Sequence, residues 1–175
     1  LATDALIRSG GKLADISDET VAALDKVLPA TWSKANPIDI IGDAPPDRYA
    51  AALEIMARDP DSDGLLVILT PQAMTDPSKT ARELMPYTAE AGKPILAGWM
   101  GGSDVDAGGR LLSEAGIATY PYPDSAAHMF TELVAYSENL KSLYETPGLT
   151  PDWVRRPQRS RARQLIDEAR AAGRT

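Results

Sequence analysis

Cysteine is missing from this chain, and histidine occurs once, at His128. Neither a disulfide framework nor a thiolate or multi-histidine metal site is therefore available. No apolar run approaches the ~18 residues that a membrane span requires, and no signal-peptide layout is present. The chain reads as soluble and cytoplasmic. No Gly-x-x-x-x-Gly-Lys phosphate loop or Gly-x-Gly-x-x-Gly dinucleotide fingerprint occurs, and no nucleophile-elbow pattern supports Ser–His–Asp catalysis. Positive charge is also scarce: the net charge is −7, which argues against general nucleic-acid binding.

What is present is a repeated grammar of helix, glycine, short strand and capped helix. Leu65-Leu66-Val67-Ile68-Leu69 are five consecutive branched apolar residues. They read as a strand buried on both faces at the centre of a parallel sheet. Further strands are expected at 12–15, 36–41, 94–98 and 117–121, with a helix between each pair. Ser9-Gly10-Gly11, Ala91-Gly92 and Ala115-Gly116 end helices in the manner of C-caps. Ser17, Asp43 or Ala44, Asp76, Ser103, and Asp124 or Ser125 mark helix starts, and Pro77 sits at a first helical position. Strict βα alternation with short loops predicts a parallel sheet with helices on both faces.

At about 175 residues one domain buries roughly 70% of its unfolded surface and needs no staple. The chain opens on Leu1 with a helical segment to Arg8 and no cap before it, so it reads as a piece of something longer. From Val154 onward seven arginines face only Asp167 and Glu168. Pro147 through Pro151 breaks the alternation, and 149–175 reads as a polar, basic connection.

Carboxyl-edge loops of an open parallel sheet converge and commonly hold the ligand. Here they are Gly42 to Pro46, Thr70 to Thr75, Trp99 to Ser103, and Tyr122 to Asp124. Gly42, Gly101 and Gly102 allow close approach or positive φ, and helix N-termini favour anions. Every such fold needs glycines and caps at its turns, so one loop does not define a site. Thr70-Pro71-Gln72-Ala73-Met74-Thr75 goes further, because a bare turn needs neither Gln72 nor Met74. Asp39 lies within the apolar Pro37–Ile41 run, where a charge is costly unless paired. It either binds neighbouring loop N–H groups or belongs to the site. His128, early in the last long helix, reads as structural or exposed.

Asn36-Pro37-Ile38-Asp39-Ile40-Ile41-Gly42-Asp43-Ala44, Asp47-Arg48-Tyr49 and Leu66 through Thr75 resemble the NDP-forming acyl-CoA synthetases, the ADP-forming acetate–CoA ligase family. Pro94-Ile95-Leu96-Ala97 with Met100-Gly101-Gly102, Tyr136-Ser137-Glu138-Asn139-Leu140 and Tyr144-Glu145-Thr146-Pro147 fit as well. The resemblance covers most of residues 1–150. It implies a flavodoxin-like three-layer α/β sandwich, the second CoA-ligase domain, related to the carboxy-terminal domain of the succinyl-CoA synthetase β chain. Residues 1–148 would be that domain, truncated at its N-terminus, and 149–175 a basic linker toward an ATP-grasp domain. An Asn-Ala-Gly-Gly-Pro-Gly loop normally precedes the position of Leu1.

In such a protein, acyl phosphate passes its phosphate to a histidine of another domain as CoA takes the acyl group. The phosphohistidine then phosphorylates ADP. The resemblance implies CoA, ATP/ADP and Mg2+ for the full protein and no cofactor bound by this piece alone. Implied partners are the CoA-binding, phosphohistidine and ATP-grasp domains and a small carboxylate or acyl phosphate, in an oligomer, with no nucleic acid or membrane. His128 does not match the phosphorylated histidine, so no catalytic residue is assigned, and the 175 residues alone should be inactive. Site residues on this reading are Asn36, Asp39, Gly42, Thr70, Pro71, Gln72, Ala73 and Met74, with Gly101 and Gly102. The Thr70–Met74 loop takes the place of a glycine-rich substrate loop in the succinyl-CoA enzyme but lacks its glycines, so position carries over and not each residue. Two other readings stay open. One is a regulatory module of a lysine acetyltransferase. The other is a flavodoxin-type binding or signalling domain, although a receiver's late lysine and a flavodoxin's first phosphate loop are not seen.

Overall fold

A computed structural model describes residues 1–88, 91–145 and 159–173. The chain divides into two compact units, Leu1–Ser137 and Glu138–Thr175. Helices α1 (Ala2–Arg8), α2 (Asp18–Leu24) and α3 (Pro46–Ala57) precede strand β1 (Leu65–Leu69). Then come α4 (Pro77–Leu84), β2 (Ile95–Trp99), α5 (Asp106–Glu114), β3 (Ala118–Tyr120), α6 (Pro123–Tyr144) and α7 (Arg159–Ala171). The three strands form one parallel sheet in the order β1-β2-β3, with Leu65 opposite Ile95 and Leu96 opposite Ala118.

Side chains alternate across the sheet, and each face has its own cover. Leu69, Ile95, Ala97 and Trp99 pack with Leu53, Ala81, Leu84 and Leu112 from α3, α4 and α5. On the opposite face Pro123 of α6 lies against Gly98, and the ring of Phe130 lies on the backbone of Gly64. The arrangement is the flavodoxin-like α/β fold expected. A second apolar cluster of Leu24, Leu28, Trp32, Ala52 and Met56 joins α2 to α3. At its margin Trp32 Nε1 and Lys34 Nζ both donate to Asp25 Oδ1. The Lys34 bond, then the Trp32 bond, holds the Asp25 carboxyl below its ordinary range.

Several sequence cues act as expected. Ser17 accepts from the Thr20 N–H and caps α2, and Asp76 accepts from the Lys79 N–H and caps α4 ahead of Pro77. Helix starts elsewhere move by a few residues. Pro45, not Asp43 or Ala44, occupies the N-cap of α3, and α6 begins at Pro123. The segment after Ser103 is first a 3-10 turn and becomes α5 only at Asp106.

Two expected strands do not form. Residues 12–15 and 36–41 run without ladder pairing. In the second segment the backbone is satisfied locally: the Asp39 N–H donates to Ser33 Oγ and the Ile41 N–H to Asp39 Oδ1. Side-chain acceptors of this kind compete with sheet ladders, and Ile41 leaves the strand region altogether at φ 70°. In the first segment the Ala14 carbonyl is taken by Asn36 Nδ2. Consequently β1 is an edge of the described sheet and not its centre, and Ile68 is 39% exposed. The expected 149–175 connection lies outside the described residues up to 158. Beyond it α7 is a helix with exposed Leu165 and Ile166.

Candidate functional site at the carboxyl edge

Three of the expected loops meet, although the 36–41 segment ahead of Gly42 forms no strand. Gly42 packs so closely on the Gln72 amide that a Cβ there would collide with Nε2. A Cβ on Gly101 would lie 2.8 Å from Pro71 Cγ and 2.7 Å from Val105 Cγ1. The Gly42 loop, the Thr70–Thr75 loop and the Gly101-Gly102 loop are thus joined in sequence through Gln72 and Pro71. Gly101 at φ 152° and Gly102 at φ 58° adopt backbone conformations that suit glycine.

The middle loop is braced from within. The Gln72 N–H donates to Thr75 Oγ1, and the Thr75 N–H returns a bond to the Gln72 carbonyl. Gln72 and Ala73 are exposed, as is Thr70, and Met74 is 86% exposed. A methionine so open is available for apolar contact with something outside the loop. Asp39 is exposed and accepts from the Ile41 N–H. It also acts on Tyr49, whose phenol is pushed above its ordinary range by burial first and by the Asp39 charge second. Asn36 is not brought to the loop junction. It lines a trough beside β1 and ties residues 12–15 to 36–41 through Ala14.

The electrostatics of this edge differ from the sequence picture in one respect. The N-terminus of α4 is already occupied by the Asp76 carboxylate. Asp47, Asp104, Asp106 and Asp124 stand in the first turns of the neighbouring helical segments. Arg48 is engaged by the Ile40 carbonyl and by Asp43 Oδ1 at 2.8 Å. These aspartates stabilise the helix dipoles, and they offset much of the attraction that bare N-termini would offer an anion. Among the described residues they do not cluster as a group that could hold a metal ion. His128 is exposed, with Nδ1 3.2 Å from Ser9 Oγ and Nε2 3.9 Å from Glu132. The sequence reading did not foresee the Ile41 backbone strain or the Gly42–Gln72 contact. The first has no residue-type signal, since a β-branched residue at positive φ runs against preference.

A parallel three-stranded sheet covered by helices defines an α/β domain of flavodoxin-like type. The Ligase-CoA domain family model matches residues 1–133, and the chain belongs to that family. The ADP-forming acetate–CoA ligase I of Archaeoglobus fulgidus is 36% identical over 138 residues, 79% of this chain and 19% of that protein. The α subunit of ADP-forming acetate–CoA ligase II from Pyrococcus furiosus is 31% identical over 145 residues, 80% of this chain and 32% of that protein. Among solved structures, a dinucleotide-forming acetyl-coenzyme A synthetase from Ca. Korarchaeum cryptofilum, in complex with phosphate and ADP, superposes with a TM-score of 0.74 at 32% identity. That match covers 83% of this chain and 32% of the other. The chain therefore spans between about a fifth and a third of the length of these relatives.

Proposed function

We propose that this chain is one domain of an ADP-forming acyl-CoA synthetase, and that its carboxyl-edge loops form one wall of the site for a small carboxylate or acyl phosphate. The observation that carries the reading is the Gly42–Gln72 and Pro71–Gly101 junction. It joins three loops into a continuous surface, with the Gln72 amide against Gly42 and an exposed methionine beside it. The Gln72 amide is suited to a carboxylate or phosphoryl oxygen, and Met74 to a short alkyl group. The ligase names of the relatives favour this reading over an acetyltransferase-fused regulator.

The acidic surroundings of the loops define what the domain leaves to others. An anion beside Asp76 and Asp104 needs compensating positive charge, so the partner domains or Mg2+ supply it, and the phosphorylated histidine belongs to a partner as well. CoA, ATP/ADP and Mg2+ are cofactors of the full protein. This chain's own groups bind and orient. Residues 1–148 act as the CoA-ligase domain, and 149–175 lead toward the ATP-grasp part of an oligomeric, cytoplasmic enzyme.

The test is kinetic and uses the intact protein. Gln72→Ala combined with Met74→Ala should raise KM for acetate about tenfold, the effect of losing roughly 1.4 kcal/mol of hydrogen bonding and contact. Unchanged kinetics across carboxylates would mean that the loop is only a turn.

A further inference from the structure

Gln72 has a fixed backbone and a side chain that rests on a neighbouring loop. Its N–H donates to Thr75 Oγ1 at 2.9 Å, and its carbonyl accepts from the Thr75 N–H at 2.9 Å. Among the described residues no hydrogen bond holds its side-chain amide. That amide lies against Gly42, with Cδ 3.4 Å from the place a Cβ would take. Where Gly42 stands therefore sets how the amide is turned. We propose that Asp39 is a positioning residue of the loop junction: its carboxylate holds Ile41 in a left-handed turn that places Gly42 against the Gln72 amide. The inference rests on the reading of this edge as one wall of an acyl-substrate site.

The turn gives the first reason. Ile41 has a φ of 70°, which is unfavourable for a β-branched residue. Strain of this kind persists only where the surroundings enforce it. Asp39 Oδ1 accepts from the Ile41 N–H at 2.9 Å, two residues on, as in an Asx-turn. On the other side the Ala44 N–H donates to the Ile41 carbonyl at 3.0 Å. The flanks are tied as well. The Asp39 N–H donates to Ser33 Oγ at 2.9 Å, and Arg48 Nη1 donates to the Ile40 carbonyl at 3.1 Å and to Asp43 Oδ1 at 2.8 Å. Ile41 is thus a left-handed residue between two braced segments, and Asp39 is the side chain that takes its N–H.

Charge gives the second reason. Asp39 is exposed and, among the described residues, forms no ion pair. A carboxylate in direct contact with a carboxylate or acyl phosphate is unfavourable. Asp39 therefore acts on such a substrate through Ile41 and Gly42, and Gln72 makes the contact. Without the carboxylate the Ile41 N–H loses its acceptor and Ile41 relaxes toward negative φ. Gly42 then moves off the Gln72 amide, which is left without the surface that orients it.

The intact protein, labelled with 15N in its glutamine side chains and with Gln72 assigned through Gln72→Ala, tests this by nuclear magnetic resonance. Asp39→Ala should shift the Gln72 side-chain signals. Asp39→Asn, which keeps an oxygen acceptor in place, should leave them where they are. Asp39→Glu, which keeps the charge but carries the oxygens one methylene further, should behave as Asp39→Ala and replaces it should that variant not fold. Steady-state kinetics read the consequence. Asp39→Ala should raise KM for acetate about fivefold, and Asp39→Asn should recover most of the loss. In a Gln72→Ala background Asp39→Ala should change KM by less than about twofold. An unmoved Gln72 signal in Asp39→Ala and Asp39→Glu overturns the inference. So does a KM for Asp39→Asn as high as that for Asp39→Ala, which would make the charge itself the active feature, and so do additive losses with Gln72→Ala. A Gln72 signal that follows Asp39, with KM unchanged in both Gln72→Ala and Asp39→Ala, supports the positioning and refutes only the functional reading.

Discussion

Gly101 combines two demands that no other residue type meets at once. Its φ of 152° is unfavourable for an L side chain, and the space for a Cβ is already filled by Pro71 and Val105. Gly102, at φ 58°, has nothing within 4 Å of its Cβ position. Gly101→Ala should therefore destabilise the protein by on the order of 1–3 kcal/mol. Gly102→Ala should cost about 1 kcal/mol, the left-handed penalty alone. Urea unfolding of the two variants checks the order, and equal losses would mean that the Pro71 contact is not tight. Asp39 illustrates the opposite situation. A carboxylate inside an apolar run looked costly, yet it faces solvent and takes a loop N–H, so its burial never arises.

Elements here are tied by a few buried polar bonds as well as by apolar packing. Thr20 of α2 donates to Asp59 Oδ2 at 2.5 Å, and both residues are buried. Lys93 reaches the Asp59 carbonyl and Ser62 Oγ, fixing the turn between α3 and β1. Thr20→Val keeps the shape but strips a donor from a buried carboxylate, and it should cost about 1.5–3 kcal/mol. Thr20→Ser, which retains the hydroxyl, should restore most of that in the same urea titration. Ser17 and Asp76 were legible as caps because a short acceptor before a helical pattern has one obvious use. The strands at 95–99 and 118–120 were legible within a residue or two, through apolar runs behind glycine-ended helices. The 36–41 segment was not, since its composition is that of a strand but pairing needs a neighbour that no local pattern supplies. The three-loop junction was legible only as a set of loops on one edge. That Gln72 would settle on Gly42 depends on tertiary approach, which sequence spacing does not encode.

At the scale of the whole molecule, charge is distributed unevenly. The seven arginines after Val154 against two acids leave the preceding residues at −12. Such a field repels small anions from the bare domain. No described helix is long and apolar enough to cross a membrane. Helix α6 carries a different consequence. Its start is anchored by buried Pro123, Ala126 and Ala127, yet every residue from Glu132 to Tyr144 is exposed. A helical stretch of that length standing in water is marginal, since isolated helices shorter than ~12–15 residues barely hold. Trp32 and Trp99, by contrast, are 3% and 4% exposed inside the first unit. On heating the 175-residue chain, far-ultraviolet circular dichroism should therefore decline gradually before the indole fluorescence changes cooperatively. Coincident curves would contradict this. Two optical probes of one sample will yield two midpoints, and a single melting temperature will describe neither the fraying helix nor the core of the first unit.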